Sequence, residues 1–184
     1  MNFLRNTAAV ALCAAACVAH ADSLDSHIFF HTDVIYHSII LEQASDLTVW
    51  TDSYMGGINF DPIVGVWHNG MQVGQNDDNP TIAPDQTRYD SGLRLHGLAA
   101  GSYVFTIGAF DNFSNSNQIG AGFRYDGQTP IAVTDWCEPA SHCNMGPFVK
   151  LNWTAMPAVP EPATWMMLAA GLGLAGAAVR RQRR

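Results

Sequence analysis

Oxygen donors crowd one short stretch of this 184-residue chain. Gln75-Asn76-Asp77-Asp78-Asn79 stands close in sequence to Asp61, Asp85 and Asp90, and Ca²⁺ takes roughly six to eight hard oxygen ligands at a time. Asp61, Asn76, Asp77, Asp78 and Asp90 are therefore the expected calcium ligands. The spacing and the closing Glu of an EF-hand are absent, and the alternative is a solvated loop of Asx turns. A second group is Cys137 and Cys143 in the run CEPASHC. Two cysteines closing a short loop read as a disulfide in an oxidising compartment. Zinc held by Cys137, His142 and Cys143 is the sharper alternative, but it lacks a clear fourth ligand.

Other chemistry is less well supported by the residue pattern. Asp77 and Asp78 as a glycosidase pair would have to flank one bond, whereas adjacent strand residues point to opposite faces. There is no G-x-S-x-G elbow for a serine nucleophile. His27, His31 and His37 are spaced by four and six residues, which does not gather them at one metal unless the chain bends. Trp50, Trp67, Trp136 and Trp153 could offer flat faces to sugar rings, though packing in a core is the commoner fate of tryptophan. Residues 22–158 carry Arg88, Arg94, Arg124 and Lys150 against fifteen acids, a formal charge of −11. Nucleic acid is excluded as a partner, because its binding draws on Lys and Arg neutralising phosphates.

Strands must position these residues. Val34 to Leu41 and Leu47 to Tyr54 are rich in β-branched and aromatic residues, and Leu47, Val49 and Thr51 alternate with Thr48, Trp50 and Asp52. Tyr103, Phe105, Ile107 and Ala109 form one face of Ser102 to Phe110, and Phe148 to Thr154 supplies a last strand. Turn signals stand between the runs at Gly56-Gly57, His68-Asn69-Gly70, Gly97 to Gly101 and Asp126-Gly127. No long helical periodicity appears between the termini. The expected class is all-β, an antiparallel sandwich, since one sheet needs another to cover its apolar face.

Both ends differ from this middle. Residues 1–21 place Arg5 before an uncharged stretch and end in Ala19-His20-Ala21, the pattern of a cleaved signal peptide, so the mature chain is expected to begin at Asp22. Retention as an anchor and lipoprotein processing at Cys17 are the alternatives. Residues 163–179 carry no charge. As a helix they would be roughly 25 Å long, adequate for a thin bilayer. Trp165 suits the outer interface and the following arginines should stay cytoplasmic. The organisation is thus a signal peptide at 1–21, an extracytoplasmic domain at 22–158, and a segment at 159–184 with a transmembrane helix.

Pro160-Glu161-Pro162, followed by an apolar helix and a terminal arginine cluster, resembles the PEP-CTERM sorting signal of Gram-negative bacteria. The resemblance implies recognition through Pro160, Glu161 and Pro162 by exosortase, a membrane protease or transpeptidase. It also implies an exported protein that is first anchored in the inner membrane and accompanies extracellular polysaccharide. Physically, two prolines keep the segment extended, as a protease cleft requires.

Within the middle, Gly57-Ile58-Asn59-Phe60-Asp61-Pro62-Ile63, His68-Asn69-Gly70, Asn76-Asp77-Asp78 and Leu98-Ala99-Ala100-Gly101-Ser102-Tyr103 resemble, in that order, bacterial pre-peptidase C-terminal-like domains. That likeness implies a jelly-roll-like β-sandwich with a structural or adhesive role, no catalysis, and a role in biofilm or extracellular matrix. A carbohydrate-binding module that retains exopolysaccharide is the alternative, and a secreted enzyme the third.

Overall fold

The computed structural model describes residues 20–139, 142–158 and 162–182. Eight strands form two four-stranded antiparallel sheets: β1 (His20–His27), β2 (Val34–Leu41), β3 (Ser45–Thr51), β4 (Pro62–His68), β5 (Met71–Asn76), β6 (Gly92–Leu98), β7 (Gly101–Ala109) and β8 (Phe148–Pro157). The strand orders are β1-β8-β3-β6 and β2-β7-β4-β5. This alternation of the chain between two sheets is the jelly-roll arrangement, in which each sheet covers the apolar face of the other.

Side-chain alternation explains the layers. Leu47, Val49 and Thr51 of β3 are buried while their neighbours are half-buried. Inner positions of β4, β7 and β8 (Val64, Val66, Phe105, Ile107, Val149, Leu151) complete one core with them. Strand β7 is buried on both faces from Phe105 to Ala109, because the long connection after it folds over the outside of its sheet. There Phe123 lies edge-on to Trp67, and the Trp67 indole N–H donates to Thr106 Oγ1 at 2.8 Å. Gly65 lies beneath that bond, and a Cβ there would stand 2.5 Å from Thr106 Oγ1. Only glycine permits so close an approach.

The His68-Asn69-Gly70 signal becomes the hairpin between β4 and β5. His68 pairs with Met71, and Asn69 and Gly70 have φ of 51° and 77°, the two positive values that a two-residue type I′ turn demands. Strand β3 covers 45–51 where the pattern predicts 47–54, and β8 runs three residues beyond the expected Thr154. Strand β1 reaches His20 and Ala21, which pair with Ala155 and Thr154; a chain cut after Ala21 keeps the six remaining pairs.

The C-terminal helix, α1, spans Pro162–Gln182, with proline in the first turn where its missing N–H costs nothing. Its described side chains, at 168–176 and 179–181, are exposed. Among the described residues no helix is long and apolar enough to cross a membrane. Of the span expected at 163–179, the side chains of 163–167 and 177–178 lie outside the described set, as does the signal segment 1–19.

Candidate functional site

The β4–β5 hairpin brings the acidic residues together. Val64 pairs with Asn76, so Asp61, three residues before Val64, lies at the same end of the hairpin as Asp77 and Asp78. Ser91, at the start of β6, fixes that end. Its buried hydroxyl lies 2.6 Å from the Pro62 carbonyl oxygen, 2.8 Å from that of Asn76 and 2.6 Å from that of Asp77. One carboxylate oxygen from each of Asp61, Asp77 and Asp78 falls within 4.8 Å of the others. Asp77 and Asp78 both reach this point because they lie beyond the end of β5, in a turn, where the strand rule of opposite faces no longer applies.

Glu138 reaches the Asp61 backbone from a distant part of the chain. Its Oε1 accepts the Asp61 backbone N–H at 3.0 Å, and the side chain is buried. Glu138 Oε2, Asp61 Oδ1 and Asp77 Oδ1 are all buried without a hydrogen-bond partner. Burial, followed by the charges of Asp77, Glu138, Asp78 and Asp90, pushes the Asp61 carboxyl up to about 9. Burial likewise raises Glu138 to about 8, with Asp77 adding and the bond from the Asp61 amide opposing. Asp77 rises to about 7 through burial and then through Asp78 and Asp111. Such groups hold protons or a cation, because buried like charges are costly when left bare.

Two of the residues expected as ligands do other work. Asp90, fully buried, spends Oδ1 on Thr51 Oγ1 and on the amides of Ser53 and Tyr54, and Oδ2 on the amide and hydroxyl of Thr87. Asn76 Oδ1 accepts the Gly92 amide at 2.9 Å. Their oxygens tie β3, β6 and the 79–90 loop together. Glu138 meets Asp61 across a separation of 77 residues, which sequence spacing does not reveal. The acid inside the cysteine loop was the one available signal.

Cys137 and Cys143 are joined, six residues apart. A loop of about seven residues contributes about 2 kcal/mol by restricting the unfolded chain. The sulfurs are thus committed to each other, and His142 Nε2 lies 2.9 Å from the Tyr54 hydroxyl, which disposes of the zinc alternative. His27 packs edge-on to Phe148, His31 stacks on Trp136, and His37 leans on Trp153, so the three do not converge. Of the four tryptophans, Trp67, Trp136 and Trp153 are buried and Trp50 is half-buried. A groove of about 520 Å³ between β2 and β8 is lined by His37, Ser38, Glu42, Gln43 and Trp153 among others.

The sandwich ends where the amide of Ala158 donates to the Ala44 carbonyl at 2.9 Å. From that same residue onward, the family model for the PEP-CTERM protein-sorting motif matches the chain, over residues 158–184. This chain carries a PEP-CTERM sorting motif. Pro160 and Glu161 lie outside the described residues, and Pro162 opens α1. The motif therefore begins at the edge of the folded domain, so that sorting chemistry on it need not disturb a strand. No curated protein and no solved structure matches the chain.

Proposed function

We propose that this exported, exosortase-sorted protein delivers a non-enzymatic jelly-roll domain to the cell envelope or extracellular matrix, where it serves a structural or adhesive role beside exopolysaccharide. The carrying observation is the sorting motif at 158–184, set immediately after the last bonded residue of the sandwich. In this reading residues 1–21 direct export and are removed after Ala21. The helix over 163–179 holds the chain in the inner membrane with Arg180, Arg181, Arg183 and Arg184 on the cytoplasmic side. Exosortase then reads Pro160, Glu161 and Pro162.

A polysaccharide-binding module is the second reading, favoured by the groove of about 520 Å³ whose mixed lining sets Trp153 beside His37, Ser38, Glu42 and Gln43. Retardation of the protein in gels containing the host's exopolysaccharide separates the two.

Sorting is tested with Glu161→Ala. The variant should insert in the inner membrane and stay there as a slightly larger species, while the wild-type chain is processed and leaves that fraction. Equal release of both proteins would remove exosortase recognition from the account.

A further inference from the structure

We propose that Asp61, Asp77 and Asp78 form a binding site for one Ca²⁺ ion, braced from behind by Glu138, which holds the Asp61 backbone amide. Three carboxylates converging within 4.8 Å are not sufficient alone, since acidic turns are common on protein surfaces. The deciding feature is Asp61, a member of the group that is only 4% exposed and whose Oδ1 is buried with no partner, as is Asp77 Oδ1. Buried polar atoms in folded proteins nearly always have partners, so orphaned carboxylate oxygens around one point call for a ligand.

Donor chemistry selects the ion. Every candidate donor is a carboxylate oxygen, which suits a hard cation and disfavours zinc or copper. Asp78 is exposed, leaving one side open for water to complete the large coordination shell that Ca²⁺ prefers and Mg²⁺ does not need. Glu138 supports the Asp61 backbone from a small hairpin in which Cys137 pairs with Cys143 and the Glu138 amide donates to the His142 carbonyl at 2.7 Å. Closing that loop covalently fixes the acceptor that holds the Asp61 amide, which lowers the ordering cost of binding.

The test is made on the full-length chain, purified in detergent and stripped with chelator. Calorimetric titration with CaCl₂ should give saturable one-site binding, and Ca²⁺ should raise the melting temperature by several degrees more than NaCl or MgCl₂ of equal ionic strength. Asp61→Asn should weaken Ca²⁺ binding at least tenfold. Asp77→Asn should abolish the calcium-specific shift and, by removing one crowded charge, melt higher than wild type in chelator. Asp85→Asn, an exposed acid outside the cluster, should behave as wild type. Absence of saturable heat from the wild-type chain, or identical melting in Ca²⁺ and matched NaCl, overturns the proposal. Asp77→Asn and Asp85→Asn retaining the same calcium shift overturns it as well.

Discussion

Asp90→Ala should destabilise the domain by about 4 kcal/mol, near the upper end of what single substitutions do. Asp90 is fully buried and accepts from three backbone amides and two hydroxyls. Alanine strands the amides of Ser53, Tyr54 and Thr87 in a dry interior, at about 1–3 kcal/mol for each donor left unpaired. Part of that loss is returned, because the buried charge no longer has to be desolvated. Asp90→Asn should cost less than Asp90→Ala, since one oxygen remains to accept while the new amide faces donors. Urea unfolding followed by tryptophan fluorescence measures both. A cost below about 1 kcal/mol for Asp90→Ala would show that the 79–90 loop is not pinned to β3 in this way.

The second large effect belongs to the core. Phe105 is completely buried, pairs across β7 with His37 and Val66, and lies edge-on to Trp153 of the opposite sheet. It is the side chain that most directly joins the two sheets. Phe105→Ala should cost about 4 kcal/mol, the sum of lost apolar burial and a cavity that neighbouring strands cannot fill. Val104, one position away, faces outward and is half-buried, so Val104→Ala should cost about 1 kcal/mol or less. The contrast in the same unfolding measurement reads the register of β7. Equal costs would mean that the strand does not present alternate residues to a sandwich core.

The strands legible in the sequence are those where packing dictates residue type. Val34–Leu41 is β2 to the residue, and the face Tyr103, Phe105, Ile107, Ala109 is buried as its alternation requires. Two of the edge strands, β1 and β5, carried little signal. In β1 only Leu24 packs on the core, and in β5 only Val73 does, so neither HADSLDSH nor MQVGQN shows an apolar face. Strand β4, PIVGVWH, was obscured for a different reason. Both of its faces are covered, and the connection that covers the outer one comes from residues far along the chain. The acidic site was half visible. Asp61, Asp77 and Asp78 belong to compact motifs that flank one hairpin in sequence and meet at its open end, whereas Glu138 contacts Asp61 only through the tertiary fold. Asp90 and Asn76 have the right chemistry, but their oxygens are claimed by backbone amides. Composition cannot reveal that.

Sorting is the central claim, and the mature protein's intact mass tests it most directly. Protein recovered from outside the inner membrane should weigh as a chain that begins at Asp22, carries the Cys137–Cys143 bridge, and has lost the helix Pro162–Gln182 together with the last two arginines. Recovery there of a chain still ending in Arg184 would contradict it.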